Sequence, residues 1–227
     1  MKNKQRGFTL IELNLAMVFV SMLLIATIAT SIFAGKLYQK GIALKTVNQT
    51  SRQLIDQMRR DIMASDSEPK FAKNSNSFRL CMPTVAYVFS AASTFNDGTN
   101  VKYQSSSKPV YAARVTSTNA ANFCNLPYNS PSEASSKELL PQDSIPIAVH
   151  DMAFSQQAMG GGDSEYKMTQ RIYSMSLTIG TNEKNTVETN NTAETNNTCK
   201  PPTNNQANFD LCSVREFTTL IRTIGGS

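Results

Sequence analysis

Histidine is almost absent from the sequence, with one residue, His150, among 227. Zinc centres need clustered Cys and His ligands, and none of the four cysteines, Cys81, Cys124, Cys199 and Cys212, forms a C-x-x-C pair. No metal site and no cofactor are expected. His150 stands beside Asp151 in a strand-like run. Neighbours on a strand point to opposite faces, so the two do not read as catalytic partners, and no enzyme activity is expected. Proline is missing before Pro69, and glycine is missing between Phe8 and Gly35. Nothing in the latter stretch interrupts a helix. Charge is missing too: in the 26 residues from Phe8 to Phe33, Glu12 is the only formal charge.

What is present is an apolar run long enough to cross a membrane, which takes about 20 such residues. Asn14, Ser21, Thr27, Thr30 and Ser31 dilute it without giving it a polar face. The run exceeds the roughly 7–15 apolar residues of a secretory signal peptide, and no small-residue cleavage site closes it. Lys2, Lys4 and Arg6 precede it, so the N-terminus is expected in the cytoplasm and everything after Phe33 outside.

Glu12 is the anomaly. A carboxylate at the bilayer centre costs about 2.5–3.5 kcal/mol and normally has a partner. Near the cytoplasmic end it could snorkel, but that does not account for the residues before it, Gly7-Phe8-Thr9-Leu10-Ile11. With the basic leader and the apolar helix, this stretch resembles the N-terminus of type IV pilins and of type II secretion pseudopilins. The resemblance covers about the first 35 residues. It implies cleavage by a prepilin peptidase between Gly7 and Phe8 and N-methylation of Phe8. It also implies pairing of Glu12 with the terminal amine of a neighbouring subunit in a filament. Many members of the family break the apolar half of the helix with Pro or Gly, and this chain does not.

From Lys36 to Ala64, Leu37, Leu44, Val47, Ser51, Leu54, Met58 and Ile62 recur at helical spacing. Beyond them, Ser65-Asp66-Ser67-Glu68-Pro69 stops the helix. Strand-like runs follow at 77–82, 84–90, 101–103, 110–117, 145–154, 171–180 and 213–224, with turns such as Asn96-Asp97-Gly98-Thr99 between them. Two runs alternate with period two, through Tyr173, Met175, Leu177 and Ile179 and through Phe217, Thr219 and Ile221. Between those two lies a polar tract, 181–208, holding a short repeat and Asn-x-Thr sequons at Asn190 and Asn196. It reads as a mobile surface loop.

The expected fold is α+β: a long N-terminal helix, membrane-spanning in its first half, packed against a C-terminal antiparallel β-sheet head. Residues 1–7 are the leader, 8–64 the helix with 8–35 as its transmembrane and assembly part, and 65–227 the head with its flexible loop at 181–208. Four cysteines allow three pairings. An exterior head favours disulfides, and the expected pairs are Cys81–Cys124 and Cys199–Cys212. The second would confine the tract ahead of the last strand.

The net charge of +5 invites a nucleic-acid reading. Without the three basic residues of the leader, 19 Lys and Arg face 17 Asp and Glu, a formal +2. That bias is too slight for nucleic-acid binding. The resemblance implies a structural subunit, a minor pilin supporting pilus biogenesis, adhesion or twitching motility. The alternatives are a large type II secretion pseudopilin and a pilus-tip adhesin. Its partners would be other pilins, the prepilin peptidase, the inner-membrane assembly platform and, before assembly, the lipid bilayer. It would begin as a single-pass plasma membrane protein with the head outside the cytoplasm and end in an extracellular filament.

Overall fold

Uninterrupted by Pro, residues Leu10–Met63 form one α-helix of 54 residues, α1. At about 1.5 Å per residue it is about 81 Å long. The structure is a computed structural model that describes residues 9–140, 142, 145–157, 170–182, 187–188, 198–199 and 212–224. Ala64 closes the helix by donating its N–H to Arg60 O, and Pro69 follows. The chain continues through β1 (Lys70–Lys73), β2 (Ser77–Cys81), β3 (Val85–Ser90), a short helix α2 (Thr94–Asp97), β4 (Ala112–Thr116) and β5 (Ser136–Glu138). Then come β6 (Ile147–Gln157), β7 (Gln170–Thr181), β8 (Val187–Glu188), β9 (Thr198–Cys199) and β10 (Val214–Ile224). Gly98, at φ +71°, caps α2 in the left-handed conformation that the Asn-Asp-Gly turn needs.

The strands form antiparallel sheets, so the fold is α+β. A five-stranded meander runs β1-β2-β3-β4-β5, and a three-stranded sheet has the order β10-β7-β6. In the latter β7 and β10 pair in register from Gly180–Val214 to Gln170–Ile224, so the polar tract does lie between two hairpin partners. Its expected mobility falls on residues mostly outside those described, as do both sequons. Four short strands were not foreseen: β1, β5, β8 and β9. β1 and β5 are the two edges of their sheet, three or four residues long and carrying Lys or Glu, which suits an edge and leaves little pattern to read. Conversely, residues 101–103 form no strand and make only a single bridge, Lys102 to Pro109.

α1 buries Ala43, Val47, Thr50, Ser51, Leu54, Met58 and Ile62 against the head. The expected stripe is wrong at its start. Leu37 is 56% exposed and Leu44 only half-buried, because the head covers the helix from Ala43 onward. The stripe meets the inner face of the five-stranded sheet (Phe78, Leu80, Tyr87, Phe89) and the three-stranded sheet (Tyr173, Met175, Leu177, Ile179, Ile221) in one core. β3 is buried on both faces. Ala86 and Val88 point the other way, into a second small core with Cys81, Val110, Ala113, Val115 and Ala120. Arg79 lies buried on that outer side of β2. Its Nη1 donates to Phe123 O at 3.0 Å and Asn129 O at 2.7 Å, and its guanidinium lies 4.7 Å from the Tyr128 ring centroid. Burial pulls its pKa down to about 10. The cation thus pins the loop covering the second core.

Polar contacts fix how α1 seats. Asp61 accepts from Arg114 Nε at 2.7 Å and Nη2 at 3.2 Å, and from the Tyr87 hydroxyl. This bidentate pair ties the last turns of α1 to β3 and β4. Asp61 raises the Arg114 pKa, while burial, then Asp61, pushes the Tyr87 hydroxyl up. His150 sits at a register shift in β6, between Val149 and Asp151. Its Nε2 is 3.2 Å from Thr181 O, whereas Asp151 pairs with Lys73 Nζ at 2.6 Å, so the two side chains serve different contacts. Gly180 makes the room: a Cβ there would meet Ser213 O and Val214 Cγ2 at 2.7 Å and His150 Nε2 at 3.0 Å.

Two outcomes follow for stability. Asp61→Ala strands Arg114 and Tyr87 in a partly buried place and should cost about 2–4 kcal/mol in urea unfolding. Glu68→Ala, at the exposed Arg171 pair, should leave the midpoint nearly unchanged. A loss at Asp61 no larger than at Glu68 would refute the seating role. Burial depresses the His150 pKa from 6.5 to about 4. The unfolded chain therefore takes up a proton that the folded one refuses, and stability falls as pH drops from about 6.5 to about 4. His150→Gln should remove that part of the acid loss, at most roughly 3 kcal/mol. Urea midpoints at pH 7 and pH 4 measure it, and an equal acid loss in both proteins would refute it.

Candidate assembly site

Among the described residues, none covers the N-terminal half of α1. Every residue from 9 to 39 is exposed, including Leu10, Ile11, Phe19, Ile25 and Phe33. Among the described residues this is the one helix long and apolar enough to cross a membrane. The hydroxyls in it are satisfied along the helix itself. Ser21 donates to Met17 O, Thr27 to Leu24 O, Thr30 to Ala26 O and Thr27 O, and Ser31 to Thr27 O, all between 2.8 and 3.1 Å. The segment can therefore enter a bilayer or a helix bundle without carrying unsatisfied hydroxyls.

Glu12 has a role that its charge alone did not reveal. α1 starts at Leu10 with Thr9 as its N-cap, and Thr9 and Glu12 form a capping box. Thr9 donates its N–H and its hydroxyl to Glu12 Oε2, each at 3.0 Å, and the Glu12 N–H donates to Thr9 Oγ1 at 3.3 Å. Two orphan donors of the helix end are satisfied. A carboxylate in the first turn also suits the positive end of the helix dipole. The signal was in the sequence as Thr-x-x-Glu before an apolar run. Both donations from Thr9 go to the same oxygen, Oε2.

Gly7 and Phe8, the expected cleavage and methylation residues, lie outside the described residues. The helix begins after them, so the Gly7–Phe8 junction precedes the N-cap. The cysteines stand as Cys81–Cys124, with Cα atoms 6.0 Å apart, and Cys199–Cys212, at 5.8 Å. The first ties the end of β2 to the 3-10 turn at Ala120–Cys124. The second ties β9 to the approach of β10.

Residues 2–33 match the prokaryotic N-terminal methylation motif, the class III signal of type IV pilins and pseudopilins. No curated protein and no solved structure matches the chain. The matched segment runs from the leader to Phe33 and takes in Gly7, Phe8, Thr9 and Glu12. The motif is one carried by type IV pilin-like and pseudopilin-like proteins, which are generally structural, and with the apolar helix it fits a membrane-anchored, pilus-associated protein.

Proposed function

We propose that this chain is a minor pilin, a structural subunit of a type IV pilus. The observation that carries the reading is the division of α1. Residues 9–39 are exposed on every face, while the stripe from Ala43 to Ile62 is seated in a head. A helix that is apolar all round needs lipid or other helices as its surroundings. Lipid supplies them before assembly, with the helix spanning the plasma membrane once and the head outside the cytoplasm. The matching helices of other pilins supply them in the extracellular filament. The two cysteine pairs support an exterior, oxidising location for the head.

The prepilin peptidase cuts between Gly7 and Phe8 and methylates Phe8, leaving an ammonium just before the N-cap. In the assembly platform Glu12 then does two things. Oε2 keeps the capping box of its own helix, and Oε1 accepts the ammonium of the neighbouring subunit. The pair removes two unpaired charges from an apolar bundle, where each alone is costly.

The mature N-terminus tests the processing. Mass spectrometry of the native protein should find a chain starting at N-methylated Phe8, and filaments retaining Lys2 to Gly7 would refute the assignment. Two substitutions separate capping from pairing. Glu12→Gln keeps a cap acceptor without the charge, and Glu12→Ala removes both. If pairing drives assembly, both variants insert in the membrane and fold, and both lose incorporation into sheared filaments by about tenfold or more. Normal incorporation of Glu12→Gln would leave capping as the sole role and overturn the pairing. Filaments sheared from cells with a retraction machinery, against secretion-dependent surface fibres, distinguish a pilus from a type II pseudopilus.

A further inference from the structure

Beside β5, at the edge of the five-stranded sheet, the head has an open cleft of about 420 Å³. Two phenol rings, Tyr103 and Tyr111, line it together with Lys108, Glu133, Glu138 and Gln142. The cleft does not belong to the helix or to the assembly site. Its volume falls in the range of about 300–1,000 Å³ typical of small-molecule sites.

The polar groups are held in place. Glu138 accepts the main-chain N–H of Tyr111 at 3.1 Å and of Ala112 at 2.6 Å, and the Tyr103 hydroxyl at 3.2 Å. Glu133 accepts from Ser106 at 2.7 Å and pairs with Lys108 at 3.3 Å. Tyr111 is braced by Phe95, their rings stacked with centroids 4.2 Å apart. Gln142 donates to Ile147 O at 3.1 Å, which fixes its amide. Two buried oxygens in the lining, Gln142 Oε1 and Ser136 Oγ, have no hydrogen-bond partner among the described residues.

The charges select the ligand. An anion would face two carboxylates. A cation would have to displace Lys108 from Glu133 and find Glu138 already occupied by four donors, the Leu140 N–H at 3.5 Å included. A neutral, polyhydroxylated ring meets neither obstacle. Its hydroxyls can donate to Glu133, whose own partners both reach Oε1, and accept from Lys108, and its C–H faces suit a phenol ring. We propose that this cleft binds a neutral sugar ring, so that the head is a glycan-binding module as well as a filament part.

The test uses the full chain in a detergent without sugar headgroups, so that the detergent does not compete. Saturation-transfer NMR is run with galactose, glucose and N-acetylglucosamine, and with N-acetylneuraminic acid as the acidic comparison. At least one neutral sugar should bind saturably, with Kd roughly millimolar. N-acetylneuraminic acid should bind more weakly. Tyr103→Ala should weaken binding by ~10-fold, and Tyr103→Phe, which loses only the hydroxyl, by several-fold. If Tyr103→Ala fails to fold, Tyr103→Phe and Lys108→Met decide. No saturable neutral sugar, tighter binding of the acidic one, or wild-type affinity in every folded variant would each overturn the proposal. Filament incorporation of Tyr103→Phe is a separate reading and should be normal, so the failure of this idea does not touch the assembly mechanism.

Discussion

Everything in the head is organised around one stripe of α1, Ala43 to Ile62, pressed into the space between two sheets. The three-stranded sheet and the inner face of the five-stranded meander meet on Val47, Leu54, Met58 and Ile62. Without the helix, large side chains such as Tyr87, Phe89, Tyr173 and Ile221 would lose part of a shared core in which they are fully buried. Apolar burial is indifferent to sliding by a turn, since the next residue of a stripe can replace the last. Asp61 is not indifferent. Its two oxygens reach Arg114 in a fork and the Tyr87 hydroxyl at once, and only one seating of the helix allows that. Hydrophobic area supplies the attraction, and one partly buried carboxylate supplies the registration. Because α1 is continuous from Leu10, fixing its last turns also fixes the direction in which the exposed half leaves the head.

The same helix changes what covers it along its length. From Ala43 on, protein covers one face. From residue 39 back to residue 9, every described residue is exposed. The hydroxyls in the exposed half fold back onto their own helix, and Thr9 and Glu12 close its end against each other. The cap gives the carboxylate a partner within its own chain at the start of the apolar segment. Both donors of Thr9 reach the same oxygen, Oε2, so the cap engages one side of the carboxylate.

The parts of this fold that were legible in the sequence share a property: they are long and carry one clean period. α1, β7 and β10 are of this kind. The register of β7 with β10 places Tyr173, Met175, Leu177 and Ile179 on the buried face, as their alternation required. Shorter elements lacked the span to show a period. β1 and β5 have four and three residues, and their existence depends on a neighbouring strand rather than on their own composition. The start of the helix stripe was misjudged for a different reason. Leu37 and Leu44 fit the spacing, but how far a head extends along a helix is set by the head and not by the helix. In the assembly site the charge of Glu12 stood out, while its partnership with Thr9 needed the geometry of the first turn.

A second group of residues was illegible because their meaning depends on long-range closure. Arg79 alternates correctly for the outer side of β2, and on sequence alone an arginine there reads as solvent-facing. It is buried because the loop through Phe123 and Asn129 folds over it, and those carbonyls lie 44 and 50 residues away. The Cys81–Cys124 link spans the same gap at the next outward position of β2. Cation and disulfide thus act on one loop from adjacent points of one strand. The loop shuts the small core of Ala86, Val88, Val110 and Val115 away from water. Shutting that core also holds β4 between two apolar layers, and β4 carries Arg114 toward the helix while pairing with β5, whose Glu138 anchors the tyrosine cleft. The seating of the helix and the shape of the cleft therefore share a single support, and both depend on residues that neither touches.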